Sequence, residues 1–398
     1  MRIAFYAPLK APDHPVPSGD REMARLLIAA LRTGRHQVDL ASGFRSFLPS
    51  PEPARMRQVE ADAVREADRL GAAWQAAGPP DLWFCYHPYY KAPDLLGPML
   101  ASRFGLPTVA AEASHAGKRA AGPWADWHAR NEAAVGAAKL HVCFTPRDAE
   151  GLAGLVARER IALLPPFIAA GPFGAVRRAS AGGTVELVTV AMMRHGDKVR
   201  SYRFLAEALA ALPPALDWRL TIVGDGPDRD AVETMFRTLS TARLVWAGER
   251  SAAGVARVLA GSDLYVWPGF GEAYGMAYLE AQAAGLPVLA MDCGGIASVV
   301  VEGETGLLTP EGDLPAYAAA LAHLIADPAL RDRLGAAGRR MVREERTVGG
   351  AARQLSAALD ALTRGKLCDA APTRDMGAPH DEILAVGKVM PAPRGARC

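Results

Sequence analysis

Short runs of apolar residues alternate with longer segments of helical period along most of the chain. In one such segment Met23, Leu26, Leu27, Ala30 and Leu31 recur at i, i+3, i+4, i+7 and i+8, which gives a helix one apolar face. Strands that alternate with helices of this kind are typical of βα units around a mostly parallel sheet. The pattern therefore predicts an α/β fold.

The predicted strands fall into two series. The first comprises residues 2–7, 37–42, 82–86, 107–112, 140–145 and 161–165. The second comprises residues 186–191, 219–224, 243–248, 264–268, 287–291 and 305–309. Two such series predict two doubly wound, Rossmann-like lobes that face each other across a cleft.

Composition divides the chain into five segments. The two lobes are predicted at residues 1–166 and 184–347, and a linker rich in Gly, Ala, Pro and Ser joins them at 167–183. A helix is predicted at 348–365 and is long enough to cross back to the first lobe. A flexible tail, rich in Pro and Gly, is predicted at 366–398.

The charge balance and the cysteines exclude several classes of protein. Lys and Arg total 45 against 43 Asp and Glu, so the chain has no extended field for nucleic acid, and a peripheral membrane contact stays open only as a local feature. The five cysteines are odd in number and form no C-x-x-C pair, which argues against a disulfide framework and a structural zinc site and fits a reducing cytoplasm. We expect no signal peptide and no membrane span, because no apolar run approaches 18 residues.

Candidate chemistry is richest after the predicted strand 264–268. Glu272 lies in the loop and Glu280 about two turns into the next helix, so the two carboxylates are up to ~12 Å apart. This spacing disfavours the acid/base pair of a glycoside hydrolase and suits two acids that hold opposite ends of one extended ligand. Gly271 and Gly275 let the backbone approach an anion at the helix start, and a diphosphate fits there. The alternative is a solvated Glu280 with glycines that serve only the turn.

Two other loops of the second series carry candidate residues. Arg194 and Lys198 follow the strand 186–191 and precede a helix, where they are placed to neutralise a diphosphate that leaves; solvated surface charge is the alternative. Gly224 and Gly226 open the loop after the next strand but form an incomplete G-x-G-x-x-G fingerprint, which is weak evidence for a dinucleotide.

The first series offers a second group of candidates. Gly19 precedes the first helix, and Glu112, His115 and Lys118 follow the strand 107–112, so all four are expected at the carboxyl edge of that sheet. His115 is a candidate to polarise a substrate hydroxyl, although a lone histidine is more often a surface or core residue.

The motifs of the second half resemble the nucleotide-sugar lobe of family 4 glycosyltransferases. The resemblance rests on Glu272 and Glu280 with seven residues between them, on Val-Gly-Asp-Gly-Pro upstream and on Thr-Gly-Leu-Leu downstream, and it covers about residues 184 to 345. It implies the two-lobe GT-B fold, and retaining transfer of a sugar from a UDP or GDP sugar to the hydroxyl of a glycan, glycolipid or small molecule. The family needs no cofactor, and no metal for the chemistry.

The resemblance also implies roles for particular residues. Glu280 would hold the ribose, Glu272 would meet the donor sugar, and Lys198 or Arg200 would take the position of the phosphate-binding lysine. The remaining donor contacts would come from Arg194 and from the backbone of Ala273, Tyr274 and Gly275. The first lobe would bind the acceptor with Gly19, Glu112 and Lys118, but the family's histidine in that lobe aligns nearer Ala113 than His115.

Three functions therefore stay open on the sequence. A glycosyltransferase of bacterial polysaccharide or glycoconjugate synthesis is the first. The others are a sugar-nucleotide 2-epimerase of the same fold and a non-catalytic protein that binds sugar nucleotides. The sequence leaves the oligomeric state open.

Overall fold

The computed structural model describes residues 1–16, 18–174 and 183–364, and the backbone of 384–385. It contains two compact units. The first comprises Met1–Pro165 with the described residues from Val348 onward, and the second comprises Pro166–Thr347. The tail predicted at 366–398 lies outside the described residues apart from that two-residue piece.

The first unit is built on a parallel sheet covered by helices. Its strands are β1 (Arg2–Tyr6), β2 (Gln37–Ser42), β3 (Leu82–Tyr86), β4 (Thr108–Ala111), β5 (Leu140–Cys143) and β6 (Ile161–Leu163). Its first helices are α1 (Gly19–Thr33), α2 (Pro53–Ala77), α3 (Gly97–Phe104), α4 (Ala125–Ala137) and α5 (Pro146–Leu152). The strand order is β2-β1-β3-β4-β5-β6.

The second unit repeats this plan. Its strands are β7 (Val185–Val190), β8 (Trp218–Val223), β9 (Leu244–Gly248), β10 (Leu264–Val266), β11 (Val288–Asp292) and β12 (Gly306–Pro310). Its helices are α6 (Asp197–Ala210), α7 (Arg229–Met235), α8 (Ala252–Ala260), α9 (Met276–Ala283), α10 (Leu314–Ala326) and α11 (Pro328–Glu345). The strand order is β12-β11-β10-β7-β8-β9, and every pairing is parallel.

The end of the described chain returns to the first unit. The helix α12 (Val348–Thr363) packs against α1, and Ser356 Oγ lies 3.4 Å from Nε2 of His36 in the turn between α1 and β2. The strand β13 (Leu384–Ala385) pairs in parallel with β6.

Part of the segment predicted as a linker is packed into the second unit. Phe167 and Ile168 are buried, and the Ile168 amide donates a hydrogen bond to the Arg346 carbonyl at 3.0 Å. The start of the segment therefore belongs to the second unit, and the linker predicted at 167–183 otherwise stays a prediction.

Burial explains why these sequences form strands and helices. All five residues of β3 are buried, as expected for a strand with helices on both faces of its sheet. In α1, Met23 and Leu27 are fully buried, and the Ser18 side chain accepts a hydrogen bond from the Arg21 amide as the N-cap. None of the described helices combines the length and the apolar character that a membrane span requires.

Each sheet reverses its order at one point, and that point positions the candidate sites. In the first unit the strand order changes direction between β1 and β3, and later strands are added on opposite sides of that point. In the second unit the same change lies between β7 and β10. Ligands of open α/β sheets bind at the carboxyl ends of the strands beside such a reversal. Ligand-binding residues are therefore expected in the loops after these four strands.

Candidate functional site

An ion pair spans the reversal point of the second sheet. Lys198, in the first turn of α6, contacts the carboxylate of Glu272, which lies in the loop between β10 and α9. The indole Nε1 of Trp267 donates to the same carboxylate oxygen at 3.0 Å, and Lys198 Nζ lies 5.5 Å from the Trp267 ring centroid. The two charged side chains remain 19% and 16% exposed, so a ligand can reach them.

The loop that carries Glu272 is fixed to α6. Ser201 Oγ accepts a hydrogen bond from the Phe270 amide at 3.1 Å and donates to the Asp197 carbonyl at 2.8 Å. Gly271 has φ 66°, and a Cβ there would lie 2.2 Å from an Asp197 carboxylate oxygen. Only glycine fits this close approach, which holds Glu272 over the end of the sheet.

The start of α9 offers backbone N–H groups. Gly275 enters the helix in the left-handed region at φ 75°, and no side chain caps the helix. The amides of Ala273 and Gly275 have no hydrogen-bond partner among the described residues, which suits an anion at this point. The side chain of Tyr274 is buried, so only its backbone is available to a ligand. Glu280 follows in α9 and is half-buried.

The carboxylates of Glu272 and Glu280 both raise the pKa of the buried Tyr265 side chain at the end of the sheet. The pKa of Tyr265 is raised well above its ordinary value, first by burial and then by the carboxylates of Glu272 and Glu280. The Tyr265 hydroxyl donates to the Val190 carbonyl at 3.3 Å, which joins the carboxyl ends of β10 and β7. The two acids therefore share one electrostatic environment beside the reversal point.

Gly224 and Gly226 have a packing reason for being glycine. A Cβ on Gly224, at φ 143°, would lie 1.9 Å from the Ala191 carbonyl oxygen, and one on Gly226 would lie 2.1 Å from that of Met193. The Met193 amide also donates to the Asp225 carbonyl at 2.9 Å. These glycines hold the loop after β7 in place, and a direct contact with a donor stays a prediction.

The other predicted cations differ in their surroundings. Arg194 is exposed in the loop before α6 and has no partner among the residues that the structure describes. The Arg200 guanidinium carbon lies 3.6 Å from the Phe270 ring centroid. Lys198 and Arg200 were the two candidates for the phosphate-binding position, and Lys198 is the one that contacts Glu272.

A second polar cluster spans the reversal point of the first sheet. Asp20 lies in the first turn of α1, next to Gly19, and its Oδ1 is 3.1 Å from Nδ1 of His87, the residue that follows β3. Glu112 follows β4, and both His87 and Glu112 adopt left-handed φ values, 57° and 51°. Such values are rare outside glycine and concentrate at functional sites. The sequence analysis missed His87, although its place directly after a strand was the available signal.

The charges in this cluster shift one another's pKa values. Burial would lower the pKa of His87, but the carboxylates of Glu112 and Asp20 outweigh it and raise that pKa to about 9. Burial raises the pKa of Glu112 to about 7, against the opposing charge of His87. Burial would also raise the pKa of Asp20, but its hydrogen bond to His87 lowers it overall. The cluster therefore favours the charged form of His87, and burial favours the neutral form of Glu112.

His115 belongs to a different group. Its Nε2 is 3.9 Å from Glu132 Oε1, and His128 Nδ1 is 3.5 Å from Oε2 of the same carboxylate. These three side chains offer ligand atoms within 4.8 Å of one another, and within the described chain they are the group that is able to hold a metal ion. Lys118 is exposed nearby and has no partner among the described side chains. Asp20 and Glu112 thus meet His87, whereas the sequence favoured His115.

Most of the second unit is similar to a known protein family. Residues 184–327 match the family described as glycosyl transferases group 1. A GDP-mannose-dependent alpha-mannosyltransferase of Mycolicibacterium smegmatis is 41% identical over 137 residues, which are 34% of each chain. The lipopolysaccharide core biosynthesis glycosyltransferase LpsE of Rhizobium meliloti is 30% identical over 198 residues, 50% of this chain and 57% of that protein. The chain thus spans about a third to a little over half of these relatives.

The fold is shared over a greater length. The sucrose-phosphate synthase of Thermosynechococcus elongatus superposes with a TM-score of 0.71 at 20% identity, covering 92% of this chain and 99% of that one. The chain therefore has the GT-B fold that the motifs implied, and the resemblance to family 4 glycosyltransferases is confirmed.

Proposed function

We propose that this protein is a retaining glycosyltransferase that moves a hexosyl group from a nucleoside-diphosphate sugar, of UDP or GDP type, to an acceptor hydroxyl. The observation that carries the proposal is the contact between Lys198 and Glu272 beside the uncapped start of α9. A fixed cation, open backbone amides and a spaced second acid are what a sugar linked to a diphosphate requires.

Each part of the donor has a matching group in the second unit. The diphosphate binds the Lys198 ammonium and the amides of Ala273 and Gly275, because a helix start and a cation both favour negative charge. Glu280 accepts hydrogen bonds from the ribose hydroxyls, and Glu272 meets the sugar. No cofactor and no metal are needed in this scheme, since the positive charge comes from the protein.

The reaction needs charge stabilisation more than acid/base groups. The bond between the anomeric carbon and the diphosphate oxygen breaks, and the electron pair leaves with the nucleoside diphosphate. The acceptor oxygen then attacks the same face of the cationic sugar, and the departing phosphate oxygen takes the acceptor proton. Lys198 stabilises the charge that develops on the leaving group, and such electrostatic terms are usually the largest in catalysis.

The relatives support a biosynthetic setting. Two of them are named for GDP-mannose-dependent mannosyl transfer and for lipopolysaccharide core biosynthesis. We therefore propose a role in the synthesis of bacterial polysaccharides or glycoconjugates, with a glycan, a glycolipid or a small molecule as acceptor. The cytoplasmic location that the cysteines predict belongs to the same proposal.

The test is incubation of the protein with UDP and GDP sugars, with and without acceptors, while the free nucleoside diphosphate is measured. The proposal expects release that depends on an acceptor, and a product whose anomeric proton coupling matches that of the donor. Isomerisation of the donor without an acceptor would identify an epimerase. Binding without any turnover would identify a non-catalytic protein.

A further inference from the structure

Two cations and two aromatic rings form a patch at the carboxyl edge of the first sheet. Lys91 and Tyr90 lie in the loop after β3, and Arg119 and Trp124 lie between β4 and α4. The Arg119 guanidinium carbon is 5.1 Å from the Tyr90 ring centroid, and Lys91 Nζ is 6.0 Å from the same centroid. Lys91 Nζ is also 5.7 Å from the Trp124 ring, which meets Tyr90 edge to face at 5.4 Å. We call these four residues the basic–aromatic patch.

The positive charges of the patch are not neutralised by carboxylates within the described chain. Neither Lys91 nor Arg119 forms an ion pair there, and the hydrogen bond of Lys91 goes to the Pro49 carbonyl at 3.5 Å. The Arg119 guanidinium has no hydrogen-bond partner among the described residues, and its Nε atom is buried. A guanidinium whose N–H groups have no acceptor in the described chain favours a ligand that supplies one, and the terminal NH1 and NH2 groups are the donors that such a ligand can reach.

Another arginine of the same unit shows the usual alternative. Arg103 also lies over a ring, with its guanidinium carbon 5.7 Å from the Phe104 centroid, but its NH1 group pairs with Asp68 at 3.4 Å. An arginine in this unit can therefore stack on an aromatic ring and still form an ion pair with a carboxylate. The difference lies in the missing acid partner at Arg119.

Ring contacts connect the patch to the reversal point of the sheet. The His87 ring is 5.4 Å from that of Tyr89, which meets Tyr90 edge to face at 5.5 Å. The amide of Ser114, in the loop after β4, donates to the Pro88 carbonyl at 3.1 Å, so the two loops are joined. The patch is thus continuous with the place where an open α/β sheet binds its ligand.

We infer that the basic–aromatic patch binds an oxyanion carried by the acceptor, a phosphate monoester or a carboxylate. Arg119 presents a planar fork of N–H groups that matches either oxyanion, Lys91 adds a second charge, and the rings of Tyr90 and Trp124 keep both cations in place. The identification of this ligand as the acceptor rests on the proposed glycosyl transfer. The anion site itself does not depend on it.

The site is tested by calorimetric titration of the full chain with inorganic phosphate and, separately, with acetate. Because Lys198 is a second place for phosphate, the Lys198→Met variant serves as the background. In that background Arg119→Gln should weaken phosphate binding at least about tenfold, and Lys91→Met should weaken it less. The control Arg103→Gln should leave it unchanged, and Arg119→Lys should retain part of it.

Two results would overturn the anion site. One is an equal phosphate affinity with and without Arg119→Gln, and the other is an absence of phosphate and acetate binding in the Lys198→Met background. Circular dichroism and the melting temperature of Arg119→Gln establish that a loss of binding does not come from unfolding. Arg119→Lys keeps the positive charge, so partial phosphate binding by this variant is a second check that the loss in Arg119→Gln comes from the missing charge.

The assignment to the acceptor is tested with glucose, glucose 6-phosphate and glucuronic acid, which differ only at carbon 6. We expect acceptor-dependent release of the nucleoside diphosphate to be fastest with one of the two anions, and the faster one identifies phosphate or carboxylate. A preference for glucose, unchanged by Arg119→Gln, would contradict the assignment. If no sugar nucleotide binds or reacts, the proposed function fails while the phosphate titration still decides the anion site.

Discussion

Lys198 and Glu272 meet at the reversal point of the second sheet although they lie 74 positions apart in the chain. Each comes from the loop region after a strand on one side of that point, β7 for Lys198 and β10 for Glu272. The Trp267 indole fixes the carboxylate from the sheet side. The ammonium is consequently held in one place before a diphosphate arrives, which is the arrangement that electrostatic catalysis requires.

Removing that ammonium should slow the chemical step. We expect Lys198→Met to lower kcat about 100- to 1,000-fold. This corresponds to a loss of ~2.7 to 4 kcal/mol of transition-state stabilisation, which is typical of losing one preorganised donor. The control is Arg203→Met, because Arg203 is exposed on the same helix. Steady-state release of the nucleoside diphosphate measures both, and an unchanged kcat in Lys198→Met would remove Lys198 from the mechanism.

Glu280 should act on donor binding rather than on turnover. Since the ribose is remote from the bond that breaks, Glu280→Gln should raise the KM for the donor about tenfold and change kcat little, the loss expected for one charge-assisted hydrogen bond. Glu207→Gln, on an exposed position of α6, is the matched control. A fall in kcat with an unchanged KM would show that Glu280 has a different role.

Gly224 should tolerate no side chain. A Cβ there clashes with the Ala191 carbonyl at 1.9 Å in a backbone conformation of φ 143°. We expect Gly224→Ala to cost about 3 kcal/mol or more of unfolding free energy. Gly303→Ala is the comparison, because Gly303 also has a positive φ, 71°, but has nothing within 4 Å of the added Cβ; it should cost only about 1 to 2 kcal/mol. Equal urea midpoints for the two variants would contradict the packing role.

The His87 cluster should make stability depend on pH. The pKa of His87 is raised to about 9 from an ordinary value of 6.5, so its protonated form stabilises the folded state fully below pH 6.5. That contribution is lost as the pH rises through about 9. The wild type should therefore lose roughly 2 to 3 kcal/mol more than His87→Gln between these limits. Melting temperatures recorded from pH 6 to 9.5 test this, and parallel curves would show that His87 is not charged in the folded protein.

The twelve strands predicted in two series all overlap strands of the structure. The central strands, such as β3, are buried on both faces and are therefore continuous apolar runs that are visible in the sequence. The linker predicted at 167–183 stays a prediction. Its first residues, Phe167 and Ile168, are apolar without periodicity and are buried in the structure, where the Ile168 amide donates to the Arg346 carbonyl at the end of α11. Such packing is set by tertiary structure and leaves no local signal.

The sequence predicted which loops form the candidate site but not which of their side chains contact one another. Lys198 and Arg200 are two positions apart, which turns them about 200° from each other on a helix, and no local pattern shows which of them faces Glu272. His87 was overlooked for a similar reason, since its partners Asp20 and Glu112 come from other strands' loops. Topology brings these groups together, and the sequence shows only that each follows a strand.

The central claim is that the second unit binds a nucleoside-diphosphate sugar through Lys198, Glu272 and Glu280. The most direct measurement is a thermal-shift panel of UDP and GDP sugars with the wild type, Lys198→Met and Glu280→Gln. One sugar nucleotide at 100 times its dissociation constant should stabilise the wild type by about 2.7 kcal/mol, and either variant should lose most of that shift. No shift with any sugar nucleotide, or the same shift in all three proteins, would contradict the claim.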